Sequence, residues 1–130
     1  MSLATLYRRC ESKTSVLLVK DAAGYVFGAY ATDAWKPQPR YFGTGETVVF
    51  QVLPHAVAFR WQQGDARRNT YFQFASPDSL AVGGGSSFGL WLDSDLRHGH
   101  SGRCETFLSP CLASAEDFVA AQVELWGLEA

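Results

Sequence analysis

Residues 16–30 read VLLVKDAAGYVFGAY, two apolar runs joined by a short segment that contains Asp21 and Gly24. The runs at 16–19 and 25–30 are rich in branched and aromatic side chains, which fit the pleated, half-buried surface of a sheet. Gly24 can adopt the positive φ angle that a short connection between two strands requires. The stretch therefore predicts a β-hairpin.

Upstream of the hairpin, the spacing of apolar residues changes to that of a helix. Leu3, Leu6, Tyr7 and Cys10 recur at helical intervals and form one apolar stripe. Ser2 precedes them, and a serine hydroxyl at this position accepts hydrogen bonds from the exposed amides of the first turn. The sequence therefore predicts one short helix before the first strand.

Downstream of the hairpin, further apolar runs predict strands. Residues 47–53 are almost continuously apolar, as expected of a strand buried on both faces, whereas residues 57–61 alternate so that one face meets solvent. Residues 35–40 contain two prolines and predict a loop. The remaining strand-like runs lie at 71–75, 79–82, 88–93 and 119–128. The last of these is predicted as a strand in preference to a helix, because Trp and Val favour pleated surfaces. Many short strands separated by turns indicate a mainly β fold, a β-sandwich with a few short helices.

Composition narrows the class of protein. The chain has 130 residues, of which 47% are hydrophobic, and this length suits one domain over residues 1–130. The net charge of −2 argues against a nucleic-acid partner, because such proteins usually carry a basic excess. The sequence has no apolar run of about twenty residues, the length a membrane span requires. We expect no secretory signal, no membrane insertion and a cytoplasmic location.

Three cysteines, Cys10, Cys104 and Cys111, are the candidate redox groups. An odd number cannot pair fully within one chain, and their spacings match no zinc module. We therefore predict reduced thiols and no metal or other cofactor. The alternative is a redox sensor or a peroxide-reactive enzyme that uses Cys104 or Cys111, which would need a lowered thiol pKa and access to solvent.

Residues 43–46, Gly-Thr-Gly-Glu, stand directly before a predicted strand. Glycines there would let a ligand approach the backbone. A phosphate-binding loop, however, has the longer Gly-x-x-x-x-Gly-Lys-Ser/Thr pattern and leads into a helix. The segment is therefore interpreted as a tight turn, with Glu46 satisfying backbone amides or facing a basic partner.

Asp93 and Asp95 lie close in sequence to His98 and His100. Carboxylates and imidazoles in such proximity can bind a metal or act as acid and base. Asp side chains also stabilise turns by accepting from nearby backbone amides, and the segment lacks the ligand register of a calcium loop. A structural turn is the favoured interpretation.

Nucleophilic catalysis is a weaker hypothesis. It would place Ser86, Ser87 or Cys104 beside His98 and a carboxylate. A serine nucleophile of the Gly-x-Ser-x-Gly kind needs a strand-to-helix turn that a mainly β domain lacks. We therefore predict no catalytic residue.

Glycines and tryptophans leave further alternatives open. Residues 83–85 are three consecutive glycines, which serve either as a flexible lid or, as favoured here, as a place where strands approach too closely for side chains. Trp35 and Trp61 are candidates to stack on a sugar or anchor a partner. Trp91 and Trp126 lie in apolar runs and are predicted in the core.

In series, these segments resemble the TLDc domain family, the domain of the oxidation-resistance proteins. The resemblance runs in the family's order over nearly the whole chain. The matching stretches are LLVKD (17–21) with Gly24, VFGA (26–29), YFGTGET (41–47), DSLA (78–81) with Gly83 and Gly84, GLWLD (89–93), CETF (104–107) and VELWG (123–127).

The resemblance implies a sandwich of two antiparallel sheets and a role in resistance to oxidative stress. It further implies a non-enzymatic interaction module that binds a subunit of the vacuolar proton-pumping ATPase and changes the pump's assembly or activity. Glu46, Asp93 and Asp95 are the predicted partner contacts. The family domain usually begins with a helical segment upstream of residue 2, which we expect this chain to lack, and the loop at 62–70 looks longer than usual.

Overall fold

The computed structural model describes residues 2–9, 13–64 and 69–128, which contain one helix and nine strands. The elements are α1 Leu3–Arg9, β1 Ser15–Asp21, β2 Val26–Ala31, β3 Val48–Leu53, β4 Val57–Arg60, β5 Gln73–Ala75, β6 Ser79–Val82, β7 Leu90–Asp93, β8 His98–His100 and β9 Asp117–Gly127. The mainly β prediction is confirmed, with a single short helix in the described part of the chain. None of the described helical structure is long and apolar enough to cross a bilayer.

The strands form one open antiparallel sheet in the order β4-β3-β2-β1-β9-β8-β7-β6-β5. The long strand β9 explains this continuity. Its first residues, 117–119, pair with β8, and residues 120–127 pair with β1. The two halves of the sheet therefore share a strand, and the predicted division into two separate sheets is not confirmed.

Side chains from both halves of the sheet meet in a common core. The rings of Phe27 in β2 and Phe118 in β9 pack edge to face, with centroids 5.1 Å apart. Leu3 and Leu6 of α1 are buried in the same cluster, and Thr5 N donates to Ser2 Oγ at 3.3 Å. The predicted helix, its apolar stripe and its capping residue are confirmed, except at Cys10, which lies outside the described residues.

The predicted hairpin is confirmed as β1 and β2, with Gly24 at φ 93° in the turn. Its turn is held by Asp21, a fully buried carboxylate. Asp21 Oδ1 accepts from Ala23 N and Tyr25 N, both at 3.0 Å, and Oδ2 accepts from Ser114 N at 2.8 Å. Burial acts to raise the pKa of Asp21, but these hydrogen bonds outweigh it and hold the pKa below its ordinary value.

Three burial predictions are wrong. Strand β3 is not buried on both faces, because Val49 is covered but Val52, on the opposite face, is 43% exposed. Trp35, predicted as a possible sugar platform or anchor, is only 1% exposed, whereas Trp126, predicted in the core, is 58% exposed. The indole Nε1 of Trp126 donates to Glu124 Oε1 at 2.9 Å on the surface. An apolar run shows that the side chains are hydrophobic, but it does not show which of them other parts of the fold cover.

Candidate functional site

Residues 43–46 form the predicted tight turn. Gly43 has a φ of 98°, Thr47 N donates to Thr44 O at 3.1 Å, and Glu46 N donates to Thr44 Oγ1 at 3.2 Å. A Cβ on Gly45 would lie 2.4 Å from the Trp61 ring, so the turn packs against that indole. Glu46 itself is exposed. Its carboxylate is therefore displayed to solvent from a fixed backbone.

Asp93 forms the predicted structural turn between β7 and β8. Its Oδ1 accepts from Arg97 N at 3.0 Å, and its Oδ2 lies 3.4 Å from His98 Nδ1. Burial acts to raise the pKa of Asp93, but hydrogen bonds from Arg97 and His98 outweigh it and hold the pKa below its ordinary value. The carboxylate is therefore engaged within the turn, whereas Asp95 is exposed.

The structure separates the predicted partner contacts into two places. Glu46 lies before β3, and Asp93 and Asp95 lie in the β7–β8 turn. Within the described residues no hydrogen bond or ion pair joins them. The same part of the chain contains no group of three or more His, Cys, Asp or Glu side chains that could hold a metal ion.

His100, and not His98, lies beside a serine. His100 Nε2 is 2.8 Å from Ser87 Oγ, and its Nδ1 is 2.9 Å from Asp117 Oδ1. These are the contacts of a Ser-His-Asp relay. Asp117, however, is 92% exposed, so water screens the carboxylate that should stabilise a charged imidazole. The relay is best explained as a polar connection between the glycine loop and β9.

Sequence reasoning missed this relay because it did not recognise His98–His100 as a strand. In β8, His100 lies opposite Asp117 of β9, and this cross-strand register brings imidazole and carboxylate together. The alternation of histidines around Gly99 was one available signal, and the Gly-x-Ser-x-Gly pattern at residues 85–89, with Ser87 at its centre, was another. A Cβ on Gly99 would lie 2.3 Å from the Phe118 ring, which explains the glycine.

The glycine loop, residues 83–87, is a close approach of chain segments, as predicted. A Cβ on Gly83, which has a φ of 83°, would lie 2.6 Å from Cys104 Sγ. Ser86 donates from its backbone N and its Oγ to the carboxylate of Glu105, and these bonds hold the pKa of Glu105 below its ordinary value. Gly84 N donates to Thr106 Oγ1 at 3.0 Å. The loop therefore lies close against Cys104 and is hydrogen-bonded to Glu105 and Thr106.

The two described cysteines lack the features of a sensor thiol. Cys104 is 1% exposed, and its Sγ lies 3.6 Å from Gly84 O. Cys111 is half-buried, and burial raises the pKa of its thiol above the ordinary value. A reactive cysteine needs the opposite shift, because the thiolate is the nucleophile.

We expect both thiols to alkylate slowly in the folded protein. In a Cys10→Ser variant at neutral pH, Cys111 should react with iodoacetamide more slowly than glutathione, because burial raises the pKa of its thiol and less thiolate forms. Cys104 should react only after unfolding. Mass spectrometry of timed samples measures each rate, with the same protein in urea as the control. Fast modification of folded Cys104 would contradict the buried placement.

Comparisons with known proteins identify the family. The family model of the TLDc domain matches residues 1–129. Human oxidation resistance protein 1 is 46% identical over 131 residues, which cover 98% of this chain and 14% of the relative. Human nuclear receptor coactivator 7 is 43% identical over 131 residues, with the same coverage of 98% and 14%. The chain thus spans a small part of these relatives.

A bird relative gives the same result. Nuclear receptor coactivator 7 of Gallus gallus is 44% identical over 131 residues, again 98% of this chain and 14% of the relative. The resemblance that was drawn from the sequence segments is confirmed over essentially their full extent. The chain belongs to the TLDc domain family.

Proposed function

We propose that this domain is a non-enzymatic interaction module in resistance to oxidative stress, and that it binds the cytosolic sector of the vacuolar proton-pumping ATPase. The observation that carries the stress role is family membership, with relatives named oxidation resistance protein 1. The pump as partner rests on the resemblance to the family. A cytoplasmic location, with recruitment to organelle membranes through the partner, follows from that choice of partner.

The surface supports binding. Among the described strands β4 lies at one end of the sheet, and within that part of the chain one of its edges carries backbone groups without a neighbouring strand. Val52, Leu53 and Val57, in the β3–β4 hairpin, are large apolar side chains left exposed beside that edge. A partner strand that adds to such an edge gains main-chain hydrogen bonds and apolar contacts together.

Binding alone is sufficient to change the pump. If the domain occupies a surface that the pump's own subunits use in the assembled enzyme, its binding energy shifts the equilibrium towards the separated sectors. The shift cannot exceed the difference in the domain's affinity for the two states. The exposed acid of the Ser87–His100–Asp117 relay and the raised pKa of Cys111 favour this mechanism over catalysis.

Co-sedimentation with the detached cytosolic sector of the pump tests the proposal. We expect saturable binding that weakens about tenfold in Glu46→Lys or Asp95→Lys, the cost of losing one favourable charge contact. Glu116→Lys, at an exposed position outside both acidic sites, is the matched control. Asp93 is unsuitable for reversal because its carboxylate holds the turn. Failure of the folded wild-type domain to bind the sector would refute the pump as partner.

A further inference from the structure

A cavity of about 400 Å³ lies between α1 and the loop that follows β2. We call it the α1 cavity. Its walls are formed by Ala4, Tyr7 and Arg8 of the helix, by Trp35, Lys36 and Pro37 of the loop, and by Pro77. None of these residues belongs to the acidic turns or to the glycine loop described above. Its lining is predominantly apolar and its charged groups are both basic.

The walls are held in place before any ligand arrives. Tyr7 Oη donates to Ser76 O at 3.0 Å and to Ser79 O at 3.2 Å, which fixes its ring across the β5–β6 turn. Burial raises the pKa of Tyr7, so the hydroxyl stays neutral and continues to donate. The Trp35 ring packs edge to face on Phe42, with centroids 6.0 Å apart. A preformed site loses little conformational entropy on binding.

The rim of the cavity is positively charged. Arg8 and Lys36 line it, and within the described residues neither forms an ion pair. The Arg8 guanidinium has only a long hydrogen bond, 3.4 Å, to Thr5 Oγ1 there. Lys36 also lines an adjoining cavity together with Lys13 and Asp33, so the carboxylate of Asp33 offsets part of the positive charge there. No carboxylate among the described residues lines the α1 cavity.

A buried donor in the wall is unsatisfied. The indole Nε1 of Trp35 is enclosed and has no hydrogen-bond partner in the described part of the chain. An unpaired buried donor carries a desolvation cost that a new acceptor would remove. Because Trp35 lines the α1 cavity, a segment bound there would change the surroundings of this indole.

We propose that the α1 cavity binds a short acidic segment of a partner protein. An apolar side chain of the segment packs against Tyr7 and the two prolines, and its carboxylates pair with Arg8 and Lys36. A nucleic acid is a poor ligand for this cavity, because the chain has a net charge of −2 and the cavity lining is predominantly apolar, whereas nucleic-acid binding requires a basic surface. Anionic membranes are recognised by larger clusters of about four to eight basic residues. The inference adds a surface to the proposed function and does not depend on the pump being the partner.

Selection of random dodecapeptides displayed on phage, with the full chain as bait, tests the inference. We expect enriched peptides to carry two or more carboxylates around one large apolar residue. Their Kd should be at least about tenfold higher for the double variant Arg8→Glu/Lys36→Glu. It should also increase less steeply with salt for that variant than for the wild type, because rim charges act by electrostatic attraction that salt screens. Arg103→Glu, at an exposed position outside both the α1 cavity and strand β4, is the matched control. In ¹H–¹⁵N spectra the Trp35 indole signal, assigned with Trp35→Phe, should shift.

Three outcomes overturn the inference. They are enriched peptides without acidic residues, unchanged affinity in the folded double variant, and an unmoved Trp35 indole signal at saturation. Flotation with vesicles of phosphatidylcholine and phosphatidylserine in a three to one ratio adds a fourth. If the double variant loses vesicle binding while peptides bind it normally, the basic rim serves a lipid surface. Binding of the pump sector by the double variant is measured in a separate experiment. If the double variant still binds the sector, failure of the cavity inference leaves the proposed function intact.

Discussion

Replacement of Asp21 by asparagine is expected to lower the free energy of unfolding by about 3 to 5 kcal/mol, a large fraction of the stability of a small domain. The buried carboxylate accepts from Ala23 N, Tyr25 N and Ser114 N. An asparagine can accept through one oxygen only and turns its own N–H groups toward the remaining backbone donor. The substitution therefore removes a charge-assisted hydrogen bond and places the N–H groups of asparagine against a buried backbone N–H that has lost its acceptor.

Urea unfolding at neutral pH measures the loss. Asp78→Asn is the matched control, because Asp78 is exposed in the β5–β6 turn, and it should change stability by no more than about 0.5 kcal/mol. An equal effect of the two substitutions would contradict the role given to Asp21.

The effect of Asp21→Asn should depend on pH in a defined direction. The pKa of Asp21 in the folded state is below its ordinary value, so the unfolded chain binds the proton more readily. The stabilisation by the carboxylate is complete above the unfolded pKa of about 3.9 and is lost as pH falls through the folded pKa. The difference between wild type and variant should therefore be largest near neutrality and shrink below about pH 4.

Gly28→Ala is expected to cost at least about 3 kcal/mol, at or beyond the upper end of ordinary overpacking. Gly28 lies in β2, and a Cβ there would lie 1.9 Å from the backbone oxygen of Leu17 in β1. A flexible side chain could turn away, but a backbone carbonyl within a paired strand cannot move without breaking the β1–β2 register. Amide hydrogen exchange of β1 and β2 should report the local loss of protection.

Gly24→Ala provides the comparison for Gly28→Ala. Gly24 has a φ of 93°, so alanine is strained there, but no atom outside the neighbouring residues lies within 4 Å of the added Cβ. The backbone strain alone costs about 1 to 2 kcal/mol. If Gly28→Ala proves no more destabilising than Gly24→Ala, the close approach of β1 and β2 is not a steric limit on the fold.

Asp21 and Gly28 show that substitutions at the centre of the sheet destabilise the fold, so variants that test binding should be chosen elsewhere. Strand β1 pairs with both β2 and β9, so it lies inside the sheet and damage there spreads to both halves. Exposed charges such as Glu46, Asp95 and Lys36 can be reversed without touching that centre. Loss of binding in those variants therefore reports on the surface and not on unfolding.

Local patterns predicted the elements well. Serine before an apolar stripe identified α1, and Gly24 between two β-branched runs identified the β1–β2 hairpin, because both signals depend on neighbours in sequence. Residues 43–46 and Asp93 were correctly interpreted as turns, since short-range hydrogen bonds define them. The family was recognisable for the same reason: its segments occur in order along the chain.

Burial and pairing were not predictable in this way. Trp35 and Trp126 both occur close in sequence to apolar or proline residues, yet Trp35 is buried in the core and Trp126 faces solvent near the end of β9. His100 was passed over for His98 because only the β8–β9 register places Asp117 opposite it. Such contacts join residues far apart in sequence, and no local pattern encodes them.

The sequence by itself determined the helix, most of the strands, the turn residues and the family, because each follows from backbone preferences and side-chain period within a few neighbouring residues. The tertiary structure alone decided that β9 joins the two halves of the sheet, that Asp21 is satisfied by Ser114, and that Arg8 and Lys36 border one apolar cavity. The physical reason is that hydrogen bonds, burial and charge act through space, and only the folded chain fixes which distant groups become neighbours.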